Sequence, residues 1–301
     1  MTHIISNIPY WIYNIKTNIN ANFEGKRFRY RKVITMNQTN TITHPIPAQA
    51  AKAGYTSLVF YDDFDDLSTF DIEGTGQPGY LWYLDRPFGW SPVSADGYFL
   101  RDSVLTIRTP DHCAGWGPCT YSVRGQTGHV FRYGYFEARL RFSHAPTEKT
   151  TYFPAWWSFS VEHASGRNDD HWSELDFFEA MPNSEGRYDG AFVCTVHDWI
   201  RSKNGEVLNY QNPNNWHPNR GLDDEWHVYA CLWKPGLIEW YMDGVLIAFQ
   251  RYGADRHPDP SPEKNTFVGC YSFMDQEDML LILGTSHDWP LEVDWVRVWQ
   301  E

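Results

Sequence analysis

No apolar run in the sequence approaches the ~18–20 residues that a membrane helix requires, so no membrane association is expected. The N-terminus offers no substitute: Ile8 to Ile19 is broken by Pro9, Asn14, Lys16 and Asn18. No compact apolar region follows a basic start, and no signal peptide is visible. Basic charge is also short. Lys and Arg number 25 against 38 Asp and Glu, a net charge of −13. A nucleic-acid binder needs a basic footprint that this balance does not supply, and the same field repels a polyanionic polymer. A neutral partner is the easier one. Cysteine is scarce and odd in number, with Cys113, Cys119, Cys194, Cys231 and Cys270 in no zinc-type spacing. Only Cys113 and Cys119 are close enough for a small loop disulfide, and buried thiols acting as small hydrophobes are the other reading. A sustained helical period and an internal repeat are missing too.

What is abundant is aromatic: 15 Trp, 18 Tyr and 18 Phe make 17 % of 301 residues. Rings suit pleated, half-buried strands, and flat rings also stack on the apolar faces of sugars. Residues 1–54 differ from the rest. A basic knot (Lys26, Arg27, Arg29, Arg31, Lys32) precedes an Asn/Thr run that ends at Pro45 and Pro47, which reads as an N-terminal extension or linker. From Tyr55 to the C-terminus short alternating runs are separated by Gly, Pro, Asn and Asp. They are Ser57–Tyr61, Tyr98–Arg108, Gly134–Phe142, Phe192–Val196, Trp226–Trp233, Ile238–Met242, Leu280–Leu283 and Val293–Trp299. Asp243-Gly244 is a hairpin signal. Residues 55–301 are therefore expected to form one all-β domain, a sandwich or barrel.

The run His171-Trp-Ser-Glu-Leu-Asp-Phe-Phe-Glu-Ala-Met181 carries the chemistry. Residues two apart share a strand face, so Trp172, Glu174 and Asp176 project together. Glu179, five past Glu174, falls on the opposite face unless a β-bulge at Phe177-Phe178 restores it. Four regular steps of ~3.3 Å then part the two backbones by roughly 13 Å, and side chains leaning inward ~3.7 Å each leave about 5–6 Å between carboxyls. That is the spacing of a retaining glycosidase, whereas inverting enzymes need ~6.5–9.5 Å. A solvated acidic face is the competing reading, and the interleaved Trp172, Leu175, Phe177 and Phe178 argue against it.

Ser173-Glu-Leu-Asp-Phe-Phe-Glu179 resembles the bulged E-x-D-x-x-E signature of glycoside hydrolase family 16. Other segments follow in the family's order: Tyr133–Phe142, Phe153-Pro-Ala-Trp-Trp157, Glu225–Trp233 with Ile238–Gly244, and Val293–Val298. Phe153 departs from the family's first Trp in W-P-A-x-W. The resemblance implies a concanavalin-like β-jelly roll of two antiparallel sheets with a substrate cleft on the concave face. It further implies a retaining, endo-acting hydrolase of a β-linked polysaccharide, secreted or periplasmic and monomeric. Carried over, Glu174 is the nucleophile, Glu179 the acid/base and Asp176 the auxiliary carboxylate. His197 resembles the histidine near the acid/base, with a polar strand-end histidine as the alternative. Trp172, Trp157 and Trp199 are candidate sugar platforms, and Trp82, Trp90 and Trp116 candidate rim residues.

The substrate expected is a β-1,3- or mixed-linkage glucan. A β-galactan of the agarose, porphyran or carrageenan kind, transglycosylation on the same scaffold, and a non-catalytic lectin are the alternatives. The stretch Gly284-Thr-Ser-His-Asp-Trp-Pro290 is short beside the laminarinase-like pattern. No cofactor is required for the chemistry. Asp294, which strict alternation aligns with Val296 and Val298, is a candidate ligand of the structural calcium that family members often hold. Carbonyl donors would come from before Tyr55 or near Ser103, which stands where the family usually has Gly. A salt bridge to Arg297 or Arg108 is the alternative.

Overall fold

The structure, a computed structural model, describes residues 44–84, 95–108, 117–143, 153–180, 192–216, 224–252, 273–285 and 289–301. The described residues from Ile46 onward belong to one compact unit. This unit opens with helix α1 (Ala48–Ala53), ended by Gly54 in the left-handed region at φ 88°, where a side chain would be strained. Ala50 of this helix packs with Tyr55, Tyr135, Ala230, Leu232 and Trp299.

Strands β1 (Ser57–Asp62), β2 (Phe70–Asp71), β3 (Trp82–Tyr83), β4 (Tyr98–Arg101), β5 (Val104–Ile107), β6 (Tyr121–Ser122) and β7 (Thr127–Gly128) come first. They are followed by β8 (Gly134–Phe142), β9 (Ala155–Ser160), the short helix α2 (Val161–Ala164), β10 (His171–Ala180), β11 (Phe192–Arg201) and β12 (Val207–Trp216). The chain closes through β13 (His227–Lys234), β14 (Leu237–Met242), β15 (Val245–Arg251), β16 (Met279–Gly284) and β17 (Leu291–Gln300).

One sheet runs β15-β14-β13-β8-β17-β5-β4, with β1 also on β17, and the other runs β12-β11-β10-β9-β16. The long pairings are antiparallel. This is the two-sheet jelly roll that the resemblance implies. Leu175, Phe177, Phe178, Cys194 and Val196 from the five-stranded sheet meet Phe136, Leu140, Trp233 and Trp240 from the other in one apolar core. Asp243 and Gly244 both have positive φ, at 49° and 75°, the backbone of a two-residue hairpin turn.

A second apolar layer covers part of the five-stranded sheet's other face. Tyr83, Cys119 and Tyr121 pack there on Trp157, Phe159, Trp172, Leu280 and Ile282. The contact is close: a Cβ on Gly117 would stand 1.5 Å from the Leu283 carbonyl oxygen, so only glycine lets this segment lie on β16. Trp82, expected at a rim, is instead fully buried in the main core, and its Nε1–H donates to Asp62 Oδ2 at 2.9 Å. Trp90, Trp116 and Cys113 lie outside the described residues.

Asp294 is corrected as well. The β17–β8 register shifts between Val293 and Trp295, where the other edge of β17 passes from β5 to β1. This bulge reverses the alternation. Leu291, Val293, Val296 and Val298 are buried, while Asp294 and Trp295 are half-buried, so Asp294 is not aligned with the valines. Its Oδ2 takes Arg139 Nη1 at 2.5 Å, and Arg139 lies over the Trp226 ring at 4.9 Å. A guanidinium already neutralises the carboxylate that calcium would need, and the residues present do not fit a calcium ligand set at Asp294. Arg297, one of the two partners expected for Asp294, pairs with Asp63.

Candidate active site

Strand β10 lies between β9 and β11 in the five-stranded sheet, and its register shows how three carboxylates reach one face. Glu174 stands opposite His197 and Asp176 opposite Thr195 on β11. The register then shifts between Asp176 and Glu179. On β9 it shifts between Asp176 and Phe178. Phe177 and Phe178 both enter the main core, so the bulge sends two consecutive side chains inward and returns Glu179 to the face of Glu174 and Asp176. The expected bulge is present at the expected pair. The second core ring adds packing: Phe178 lies against Tyr229 at 4.5 Å and 47°.

On the opposite face Glu174 and Glu179 are half-buried and Asp176 is fully buried. Trp199 Nε1–H donates to Glu174 Oε2 at 3.0 Å. His197 Nε2 lies 3.2 Å from Asp176 Oδ2, and its Nδ1 is 3.0 Å from Asn209 Oδ1. With Asn209 Nδ2 directed at Gln211 Oε1, 3.5 Å away, the Asn209 oxygen accepts from Nδ1–H and aims Nε2 at the acids. Asn209 sits on β12, a strand the sequence did not announce.

Proton affinities follow from this crowding. Burial and the Asp176 charge push Glu174 up to about 8, against the opposing pull of His197 and the Trp199 hydrogen bond. Burial pushes Glu179 well above the usual range, with the Asp176 and Glu174 charges and a hydrogen bond to Asp176 adding to it. Burial lowers His197, but the Asp176 hydrogen bond and the Asp176 and Glu174 charges carry it up to about 10. The site thus holds an imidazolium beside Asp176. Of the two glutamates, Glu174 is the one whose anion the Trp199 indole N–H bonds, while Glu179 is raised by burial and by two neighbouring acid charges. Surroundings that differ in this way part the proton affinities of neighbouring carboxyls.

The tryptophans are differently employed from the sugar platforms expected. Trp172 is 6 % exposed. His163 lies on it at 3.7 Å and 7°, and Trp199 stands nearly parallel at 6.3 Å and 9°. A sugar between two rings needs two contacts of 3.5–4.0 Å, about 7–8 Å in all, so none fits between Trp172 and Trp199. Trp172 is a packing residue with its faces taken. Trp157 is buried in the same layer. Half-buried Trp199, parallel to His197 at 5.6 Å and 16°, turns its N–H edge to Glu174. Trp172→Ala is therefore expected to cost about 3–5 kcal/mol of stability, read by thermal denaturation. An unchanged melting temperature with a large drop in kcat/KM would restore the platform role.

The fold is shared with enzymes of known structure. The catalytic domain of a laminarinase from Thermotoga maritima superposes with a TM-score of 0.50 at 16 % identity, over 81 % of this chain and 98 % of that one. Porphyranase B from Zobellia galactanivorans gives 0.53 at 16 % identity, over 81 % and 92 %. A GlcNAcα1-4Gal-releasing endo-β-galactosidase from Clostridium perfringens gives 0.52 at 18 % identity, over 85 % and 64 %. No curated protein sequence matches. The model of the family described as glycosyl hydrolases family 16 matches residues 96–275, a stretch that is more than half of the chain and holds every carboxylate of the site: the chain belongs to glycosyl hydrolases family 16.

Proposed function

We propose that the protein is an endo-acting, retaining β-glycosidase that hydrolyses a neutral β-1,3- or mixed-linkage glucan. The observation that carries this is the β10 bulge, which sets Glu174 and Glu179 on one face with the Asp176–His197 pair between them. In the first step a Glu174 oxygen attacks the anomeric carbon, the glycosidic C–O bond breaks, and Glu179 gives its proton to the departing oxygen. In the second, Glu179 takes a proton from water as that water attacks the same carbon and releases Glu174. The Trp199 N–H supports the Glu174 anion before attack and after release, and Asp176 with His197 holds charge beside both glutamates.

A neutral substrate is favoured by the charges at hand. Arg201, the cation over Trp172 at 5.9 Å, is taken by Asp169 at 2.8 Å, and the chain as a whole carries −13. A sulfated galactan would meet Glu174, Asp176 and Glu179 beside a guanidinium that Asp169 already pairs. The test is incubation with laminarin, lichenan, agarose, porphyran and carrageenan, with the anomer of the first product followed by NMR. Laminarin or lichenan should be cut with retention. Cleavage of a galactan would move the substrate class, longer products with an added acceptor would indicate transglycosylation, and an inverted first product would exclude the two-step mechanism. Binding without cleavage would mark a lectin.

A further inference from the structure

Glu277 lies 104 residues beyond Ser173 in sequence and is 1 % exposed. It follows the single turn Met274–Gln276 and precedes β16. Its Oε2 accepts the backbone N–H of Ser173, the residue before Glu174, at 2.9 Å. In an antiparallel ladder, residues two apart direct their N–H groups to the same neighbour. The Leu175 carbonyl accepts the Ser158 hydroxyl of β9 at 3.2 Å, so the backbone polar groups of Leu175, and of Ser173 two residues before it, face that side. There the β9–β10 pairing has ended at Glu174 and Phe159, because β9 stops at Ser160, which caps α2 by accepting from His163 N–H. One residue before Glu174, beyond the last β9 pair, the Glu277 carboxyl accepts the backbone N–H of Ser173.

We infer that Glu277 is a positioning residue: its carboxyl holds the N–H of Ser173 beyond the end of the β9 pairing and so fixes the backbone from which Glu174 projects. This rests on Glu174 being the nucleophile. Glu277 is held at its backbone and at one carboxyl oxygen, while its buried Oε1 has no hydrogen-bond partner among the described residues. Arg132 Nε donates to the Glu277 carbonyl oxygen at 3.0 Å, and the Ser160 and Ser173 hydroxyls bond the side chain. Ser173 is gripped a second time where its hydroxyl donates to Asp198 Oδ1 at 3.2 Å. Burial pushes the Glu277 carboxyl up to about 8, against those bonds, so its service is that of a hydrogen-bond acceptor and not of a charge.

The test pairs Glu277→Gln with Glu277→Leu in the full chain. The amide oxygen still accepts from Ser173, and kcat should stay within about twofold of wild type. Leucine leaves the N–H without its acceptor, and kcat should fall on the order of 10- to 100-fold with KM little changed, the signature of a displaced reacting group. Hydrogen exchange supplies a readout independent of activity. The Ser173 amide should be protected in wild type and Glu277→Gln and exposed in Glu277→Leu. Free exchange of that amide in wild type, a normal kcat in Glu277→Leu, or equal damage by both substitutions would overturn the assignment. Should Glu277→Leu fail to fold, the wild-type exchange and the Glu277→Gln kinetics still decide it. A wild type that cuts no polysaccharide would sink the proposed activity, while exchange at Ser173 would still report on the Glu277 contact.

Discussion

Glu174→Ala is expected to lower kcat on the order of 10⁵–10⁶-fold, the scale seen when a covalent nucleophile is removed. Added azide should restore turnover. The alanine vacates the volume beneath the anomeric carbon while Glu179 still protonates the leaving oxygen, so a small anion can attack from the same side as the missing carboxylate. The product is then a glycosyl azide of inverted configuration, formed in one displacement instead of two. Chromatography with NMR of the anomeric proton checks both its formation and its stereochemistry. A retained azide would place the nucleophile elsewhere, at Glu179 first, since azide then occupies the acid/base position.

Glu179→Gln should separate catalysis from stability. A glutamine cannot protonate the leaving oxygen, and polysaccharide cleavage should fall about 10²–10⁴-fold. Aryl glycosides with acidic leaving groups need no proton and should lose far less in the first step. Stability should move the other way. Burial and the Asp176 and Glu174 charges hold the folded-state pKa of Glu179 above its unfolded value. The fold therefore binds this proton more tightly than the unfolded chain does. Its contribution is complete below the ordinary glutamate range and is lost as pH rises toward the folded pKa. Glutamine has no proton to lose, so the variant should gain melting temperature over wild type at pH 8 and little at pH 4. Each kcal/mol recovered corresponds to roughly 2–4 °C for a domain of this size. A gain that is equal at both pH values would mean that packing, not proton release, is what glutamine improves.

Much of this was legible in the sequence because the catalytic strand breaks its own alternation. Two adjacent phenylalanines between acids signal a bulge, and the bulge turns a spacing of five into a shared face. The Asp243-Gly244 turn was legible for a similar local reason. Strand β12 was not: Val207–Trp216 is rich in Asn and contains Pro213, which a central strand would reject. It survives at the sheet edge, where a missing N–H can face away from β11. With it went Asn209, the partner that orients His197. Asp294 was misread because the β17 bulge lies where two partner strands change over, a nonlocal event with no mark in Val293–Val298. Trp172 shares the acids' face, as alternation requires. What alternation cannot tell is that α2 folds back to lay His163 on the ring. Glu277 acts on Ser173 across 104 residues, and no local pattern announces such a contact.

The bulge on β10 also shapes how mutation can reach this protein. From Glu174 to Ala180 neighbouring codons answer to different demands, one to turnover and the next to folding. Glu174 and Asp176 belong to the first group and Leu175 to the second. At Phe177 and Phe178 the beat is skipped and folding is answerable twice, before Glu179 returns the strand to turnover. A saturation scan of these seven positions would read as a two-beat rhythm with one syncopation, its catalytic losses and its expression losses falling on different positions.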